Sequence, residues 1–384
     1  MNSRESVLAA LNHEEPDRVP IDLGGNQTGI HKNAYRDLLD QLGMDDDTEI
    51  MDPVQQLAEP SEEVLERFEV DTRYVAPGPP DDWDGGVEEN ERDGRRWYDL
   101  VDEFGVRWSM PADNPLYMDI SDSPLAEADV QAVKDYPFPD GSDPTRFEGV
   151  AEDARRVKED GPYAVATATG GVIYETCWYL RGLEQWYCDM VMNQEFCAEL
   201  MDRLLGFWLD WYEGFLDEAG DELDIIMMGD DLAGQDGPLF RPSLYREMVK
   251  PRHKRLVQFV RERTDAAIWY HTCGACQEFI PDLVDNGVDV LNPVQVGAKD
   301  MDPHELKDEF GDRIVFWGGA IDAQHVLPSA SPQKVREHVR HNVEAFKPGG
   351  GFVFNNVHNI QGRVPPENIV ALFEAGLEYG SYGE

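Results

Sequence analysis

A histidine and a cysteine two residues apart stand directly after an apolar run. The run Ala266-Ala267-Ile268-Trp269-Tyr270 predicts a buried strand, and His271-Thr272-Cys273-Gly274 follows it. Because side chains alternate along a strand, His271 and Cys273 are expected to point the same way. Imidazole and thiolate groups are ligands that zinc prefers in proteins. The pair therefore predicts a metal site at the end of this strand.

Two further residues bear on the ligand set. His358 follows another predicted strand, and we expect it to reach the same ion from across the site as the third ligand. Cys276 forms a Cys-x-x-Cys spacing with Cys273, which also suits a redox pair, but no thioredoxin pattern surrounds it. We expect Cys276 to begin the next helix and point elsewhere, which makes it the weaker ligand candidate. Three protein ligands would leave a fourth position open, as in catalytic zinc sites.

Polar residues also end the other predicted strands. The residues for which we predict catalytic roles are Asp230 and Asp322. The residues for which we predict substrate binding are Asp22, Asn26, Asn292, Gln295 and Gln324. Each has a plainer interpretation, because Asn and Asp at strand ends often only cap the next helix.

Eight short apolar runs recur along the chain, mostly separated by segments of helical periodicity. They are residues 19–21, 70–75, 163–166, 223–228, 267–270, 288–291, 314–317 and 352–354. Strands that alternate with helices pair in parallel, and eight such units predict a single (β/α)8 TIM barrel of the α/β class. A doubly wound open sheet is the competing fold, disfavoured because no Gly-x-Gly-x-x-Gly follows the first run. Active sites of TIM barrels lie where the strands end, which is where the polar residues stand.

One region interrupts the alternation, from about residue 76 to residue 139. It is rich in Pro, Gly and Asp. Arg95–Val101 and Val106–Ser109 flank Glu103-Phe104-Gly105, which predicts a β-hairpin inserted after the second strand. We see no linker and no internal repeat, so we expect one domain over residues 1–384.

Composition limits the partners and the environment. The 384 residues carry 77 acidic and 33 basic side chains, a formal net charge of −44. The aromatic content of 10% argues against a disordered acidic chain. We interpret the charge as adaptation of a folded protein to a saline cytoplasm, with an ordinary acidic enzyme as the alternative. Nucleic acid and anionic membranes are poor partners for such a surface. The five cysteines and the absence of a secretory signal or long apolar run indicate the cytoplasm.

Five stretches together resemble the uroporphyrinogen decarboxylase superfamily, and within it the corrinoid-dependent methyltransferase branch. They are Gly229-Asp230-Asp231-Leu232, His271-Thr272-Cys273-Gly274, residues 287–295, Gly318-Gly319-Ala320-Ile321-Asp322 and residues 358–368. The resemblance extends over nearly the whole chain. It implies a single TIM barrel, as the eight runs also predict.

The resemblance to the methyltransferase branch implies a cofactor and a partner. In that branch a His-x-Cys pair and a later Cys hold zinc; here His358 stands at the later position. A methyl group would move between a small thiol, methoxy or methylamine substrate and a corrinoid (cobalamin) cofactor. This chain lacks the Asp-x-His-x-x-Gly attachment sequence, so a separate corrinoid protein is expected to carry that cofactor. The sequence does not determine the oligomeric state, and a homodimer is one candidate.

Two alternatives remain. Uroporphyrinogen decarboxylases, as the resemblance implies, work without metal and grip their carboxylates with an Arg-rich N-terminal segment. The matching residues here, Asp22-Leu23-Gly24-Gly25-Asn26-Gln27-Thr28, contain no cation. A polyanionic substrate would be repelled there, which disfavours a decarboxylase of a porphyrin-like carboxylate. The other alternative is a metal-binding barrel without catalysis.

Overall fold

A computed structural model describes residues 1–45, 47–81, 83, 85–167 and 170–383. Ala168 and Thr169, part of the glycine-containing stretch that follows the third predicted strand, lie outside the described residues. The strands are β1 (Ile30–His31), β2 (Ile50–Asp52), β3 (Leu57–Ala58), β4 (Thr72–Val75), β5 (Glu88–Arg92), β6 (Arg95–Val101), β7 (Arg107–Pro111), β8 (Asp119–Asp122), β9 (Ala164–Thr167), β10 (Ile225–Gly229), β11 (Ala233–Gly234), β12 (Gly237–Pro238), β13 (Ala267–His271), β14 (Val290–Asn292), β15 (Val315–Trp317) and β16 (Phe352–Val353).

The helices mostly cover the outside of the central sheet. They are α1 (Ser3–Leu11), α2 (Lys32–Leu42), α3 (Glu62–Arg67), α4 (Val130–Asp135), α5 (Val150–Asp160), α6 (Tyr174–Arg181), α7 (Leu183–Met192), α8 (Gln194–Ala219), α9 (Pro242–Leu244), α10 (Lys250–Arg261), α11 (Ile280–Asn286), α12 (Pro303–Phe310), α13 (Pro332–Phe346) and α14 (Pro366–Tyr379). Ser331 caps α13 through its side chain, with Pro332 at the first helical position, as both residue types favour.

The central sheet is a parallel barrel. Among the described residues, seven strands pair in the order β16-β15-β14-β13-β10-β9-β4. The first predicted run closes the circle: Ile21 bridges Phe354 in parallel, and its carbonyl accepts from the Asp71 N–H at 2.8 Å. This confirms the TIM-barrel prediction, with the first run present as bridging segment rather than as a regular strand.

Alternation divides the barrel into an inner and an outer layer. Inside, small and large side chains of alternating positions pack together, including Ala166, Met227, Trp269 and Trp317. Their neighbours, such as Ile226 and Ile268, belong to the larger cluster formed with the surrounding helices. Residues that continue the inner positions beyond a strand end are therefore directed to the mouth of the barrel.

The insertion is larger than the predicted hairpin. The strands β6 and β7 pair in antiparallel, as expected, and β5 and β8 extend them to a four-stranded sheet. It follows β4, the second barrel strand. Within the described ranges, no helix has both the length and the apolar character that crossing a bilayer requires.

Candidate metal centre

Three potential metal ligands meet at the mouth of the barrel. His271 is the last residue of β13, Cys273 follows two residues later, and His358 lies beyond β16. One ligand atom from each residue lies within 4.8 Å of the other two. The Cys273 Sγ is 3.5 Å from the His271 Nε2. Tetrahedral zinc with Zn–S of about 2.3 Å and Zn–N of about 2.0–2.1 Å needs a separation of roughly 3.6 Å, so this pair already has the required spacing.

The surroundings of His271 set the orientation and the tautomer of its ring. The Nδ1 lies 2.7 Å from the Asn292 Oδ1. The Asn292 Nδ2 donates to the Trp317 carbonyl at 3.0 Å, which determines that the amide oxygen faces the imidazole. The Nδ1 therefore carries the proton, and the Nε2 lone pair faces Cys273. Such a hydrogen bond from the second ring nitrogen is usual for metal-binding histidines.

The ring of His358, in contrast to that of His271, does not have the tautomer needed to bind a metal through Nε2. Its backbone has φ of 59°, a left-handed conformation uncommon for a residue other than glycine. Its ring lies 5.1 Å from that of His271, measured between centroids. The Asn359 N–H donates to the His358 Nδ1 at 2.7 Å, which leaves the proton of the neutral ring on Nε2. Binding a metal through Nε2 thus requires this contact to open and the proton to move to Nδ1.

Backbone contacts hold the loop that carries Cys273. The Cys273 N–H donates to the Asp231 Oδ1 at 2.6 Å, and the Gly274 N–H to the Gln295 Oε1 at 2.8 Å. Gly274 has φ of +83°, and a Cβ there would lie 2.4 Å from the Ala233 carbonyl oxygen. Only glycine fits this close approach, so the residue after the cysteine is fixed by geometry.

Burial determines the protonation of the three candidate ligands. It lowers the pKa of His271 to about 4, against a smaller upward effect of Asn292. Burial and the neighbouring His271 lower the pKa of His358 to about 3. Burial, followed by the Asp231 and Glu175 carboxylates, raises the pKa of the Cys273 thiol well above its usual range. Near pH 7 both imidazoles are neutral, and binding a metal would displace the thiol proton.

The donor set fits zinc, with one nitrogen and one sulfur already oriented and a third donor nearby. Cys276, the weaker candidate, is completely buried in the hydrophobic cluster outside the barrel. Among the described residues, it does not belong to the group of convergent ligands.

The two adjacent aspartates after β10 point to opposite sides. The Asp230 carboxylate is completely buried, 2.8 Å from the His253 Nε2 on α10, and accepts from the Ile173 and Glu175 N–H groups. Asp231 continues the inner positions of Met227 and lies beside Cys273. The catalytic role of Asp230 stays a prediction; its contacts position the start of α6.

Other predicted residues lie at different distances from the ligands. Asn292 contacts the candidate ligand His271, and Gln295 contacts the loop that carries Cys273. The backbone carbonyl of Asn26 accepts from Asn359, the neighbour of His358, at 2.9 Å, while the Asn26 Oδ1 is buried without a partner among the described residues. Asp22 is completely buried and accepts from the Trp317 Nε1 at 2.8 Å and from Thr72 and Tyr74. Its contacts suit barrel packing, and its substrate role stays a prediction.

The residues after β15 make local contacts. The Asp322 Oδ1 accepts from the N–H groups of Gln324 and His325, both at 2.9 Å. The Gln324 side chain is exposed. The Asp322 side chain thus stabilises the turn that follows it, as aspartate often does in loops. The catalytic role of Asp322 and the binding role of Gln324 stay predictions.

A cavity of about 760 Å³ adjoins the candidate metal ligands through Asp231, and the sequence did not predict it. Its lining includes Glu175 and four aromatic residues from the insertion and from α6. The two adjacent aspartates after β10 are a sequence signal from which the role of Asp231 in lining the cavity could have been predicted. The aromatic lining had none, because it depends on how the insertion packs on the barrel.

Comparison with known proteins agrees with this architecture. The family model described as uroporphyrinogen decarboxylase (URO-D) matches residues 100–379. A uroporphyrinogen decarboxylase of Thioalkalivibrio sulfidiphilus (strain HL-EbGR7) is 30% identical over 146 residues, 36% of this chain and only 38% of that relative's length. A solved methyltransferase from Methanosarcina mazei aligns over 99% of both chains with a TM-score of 0.63 and 18% identity. That likeness shows a shared fold.

Proposed function

This chain belongs to the uroporphyrinogen decarboxylase family, and we propose that it is a zinc-dependent methyltransferase of that family. It would move a methyl group between a small substrate, of thiol, methoxy or methylamine type, and a corrinoid protein. The convergence of His271, Cys273 and His358 carries the proposal. The resemblance implies that uroporphyrinogen decarboxylases work without metal. Three convergent metal ligands at the mouth of the barrel would have no role in such an enzyme.

Zinc bound there would act as a Lewis acid toward the heteroatom of the methyl-bearing molecule or of the acceptor. The chain's own residues would prepare this chemistry. Asn292 orients His271, while Asp231 and Gln295 hold the backbone on either side of the Cys273 side chain. Asp230 would anchor the first turn of α6 beside the site.

Transfer from a donor breaks the bond between the methyl carbon and its heteroatom. The electron pair would stay on the heteroatom, and the corrinoid partner would supply the two-electron nucleophile that accepts the methyl group. In the reverse direction a thiolate would supply the electron pair for the new S–C bond, and the pair of the broken methyl–cobalt bond would stay with the corrinoid partner. That partner would have to dock where the barrel strands end, because the ligands lie there.

Decarboxylation of a porphyrin-like carboxylate is the second candidate, favoured by the name of the relative from Thioalkalivibrio sulfidiphilus. Asn26 and Gln27 stand where cations would be needed, and the cavity beside the ligands is acidic. Several desolvated carboxylates without partners would each cost several kcal/mol. A metal-binding barrel without catalysis is the remaining alternative.

The test is methyl transfer to cob(I)alamin from thioether, methoxy and methylammonium donors, followed by the absorbance of the corrinoid. Zinc-loaded protein at high salt should transfer methyl groups from at least one donor class. Chelator-treated protein and Cys273→Ala should not, and Cys276→Ala should behave as the parent protein. Full activity of protein shown to be free of metal would contradict the proposal.

A further inference from the structure

The cavity next to the ligands has an aromatic lining. Trp108 and Tyr117 come from the insertion, and Trp178 and Tyr179 from α6. The Tyr179 ring lies 5.1 Å from that of Trp108 and 4.3 Å from that of Trp178, edge-on in both cases. The Trp108 Nε1 donates to the Asp102 Oδ2 at 2.9 Å, which fixes its ring. The cavity thus presents several ring surfaces in different planes.

Carboxylates stand among these rings. Glu175 and Asp231 both line the cavity and are half-buried. The Tyr179 hydroxyl donates to the Glu175 Oε1 at 3.2 Å. Burial, followed by the charges of Asp231 and Asp230, raises the pKa of Glu175 well above its usual range. Among the described residues, no lysine or arginine lines the cavity, so its carboxylates lack a countercharge.

The position of Asp231 joins the cavity to the metal ligands. Its carboxylate lines the cavity and accepts from the Cys273 backbone at 2.6 Å. A molecule held between the rings and Glu175 would have one end beside Cys273. The cavity is therefore placed for the molecule whose methyl group reacts. Its volume of about 760 Å³ is within the range of small-molecule sites.

We propose that this cavity binds the methyl-bearing substrate as a small methylated ammonium cation. This inference rests on the proposed function and narrows its substrate class. Ring faces attract cations through their quadrupole, most strongly when the cation loses its water. A bound cation would oppose the raised pKa of Glu175 and favour its ionised form. The resulting Coulombic attraction to Glu175 and Asp231 is screened only weakly in a partly enclosed site. The same charges repel sulfonate or carboxylate groups, so acidic thiols and methoxy acids fit less well.

The chemistry also gives a route for product release. Breaking the C–N bond of a quaternary ammonium leaves the electron pair on nitrogen and transfers the methyl to the cobalt nucleophile. The remaining amine is neutral when it forms. In this neutral form it lacks the attraction to Glu175, Asp231 and the ring faces, so it binds more weakly than the substrate until it takes up a proton.

Acidic residues cover much of this protein, so the carboxylates of the cavity need a specific test. We compare choline with its neutral carbon isostere, 3,3-dimethylbutan-1-ol, by calorimetry and tryptophan fluorescence at constant high salt. Both zinc-loaded and chelator-treated protein are used, because binding to the cavity does not require turnover. Choline should bind at least tenfold more tightly than the alcohol in both forms.

Variants locate the selectivity. Glu175→Gln keeps the shape and the contact with Tyr179 but removes the charge, so choline affinity should fall at least tenfold and that of the alcohol should not change. Tyr117→Leu, at a side chain that is 49% exposed and so tolerant of substitution, should weaken choline severalfold. The matched control is Glu159→Gln on the exposed face of α5, with both affinities unchanged.

Equal binding of choline and the alcohol, or unchanged choline affinity in both cavity variants, would overturn the inference. Selective choline binding without methyl transfer from any donor would support the cavity assignment and contradict the proposed function. Methyl transfer from an anionic donor, with no measurable choline binding, would do the reverse. The two proposals can therefore fail separately.

Discussion

The Asn292 side chain connects two barrel strands to one imidazole. Its Oδ1 lies 2.7 Å from the His271 Nδ1, and its Nδ2 donates to the Trp317 carbonyl at 3.0 Å. One amide thus sets both the rotation and the tautomer of the candidate ligand, from a position that is completely buried.

The first prediction follows from that contact. Asn292→Ala should weaken zinc binding by about 10–100-fold, the usual effect of losing such an orienting partner. Competition with a chromogenic chelator measures the affinity. Asn368→Ala removes an equally buried asparagine that donates to the Leu327 and Ala330 carbonyls instead. It should lower the melting temperature without changing the zinc affinity; equal loss of zinc in both variants would contradict an orienting role.

The second prediction concerns the two cysteines near β13. Purified protein should hold about one zinc per chain, the number set by a single three-ligand site. Cys273→Ala should lose the metal, because its sulfur faces His271 at 3.5 Å. Cys276→Ala should keep it, because that side chain packs in the outer cluster.

Elemental analysis after dialysis against a weak chelator measures both variants. Equal metal loss from the two would mean a Cys-x-x-Cys site, and His358 would then lose its assignment as third ligand.

The third prediction is a pH dependence of metal affinity. The pKa of the Cys273 thiol is raised by burial and by the adjacent carboxylates, so zinc must displace its proton at neutral pH. Affinity should rise about tenfold per pH unit between pH 6 and 8. The histidines should add no slope there, since the pKa of His271 is lowered to about 4 and that of His358 to about 3. An affinity that stays constant across this range would show that the thiol is not a ligand.

The fourth prediction concerns salt. A net charge of −44 produces self-repulsion, and screening shortens its range from about 10 Å at 0.1 M salt to about 3 Å at 1 M. The melting temperature should therefore rise between 0.1 M and 1 M KCl, by about 1 °C for each kcal/mol gained. Sucrose at equal osmolality is the control for effects that do not depend on charge. A melting temperature independent of KCl would contradict adaptation to a saline cytoplasm.

The fifth prediction separates the two activities associated with this family. The protein should not decarboxylate uroporphyrinogen, because Asn26 and Gln27 carry no positive charge to form ion pairs with its carboxylates. Incubation with the reduced porphyrinogen at high salt, followed by counting of carboxyl groups on the oxidised products, tests this. Enzyme-dependent accumulation of a four-carboxyl product would restore the decarboxylase interpretation.

Alternation explains which parts of the site were predictable. His271 and Cys273 could be assigned to one face because residues two apart along a strand point to the same side. The run before Asp230 and Asp231 is apolar on both faces, as parallel strands buried on both sides are, and so shows no inner or outer side. The outward direction of Asp230 and the position of Asp231 beside Cys273 therefore emerged only from the folded barrel.

The remaining features depend on contacts between distant segments. The left-handed backbone of His358 and its contact with Asn359 give no sequence signal. The rings of Trp108 and Tyr179 meet only because the insertion folds back over α6. Seven of the eight apolar runs form strands of the central sheet. They could be predicted because strands buried on both faces appear in the sequence as short continuous apolar runs.

The four-stranded insertion and the barrel contribute different parts of the candidate site. The candidate metal ligands come from barrel strands whose spacing is set by the sheet, whereas Trp108 and Tyr117 come from a segment inserted between β4 and β9. Mutations in that segment can alter the choice of substrate while the ligands keep their places. Relatives of this chain could thus come to bind different substrates through changes in this segment, while the barrel and the candidate ligands stay the same.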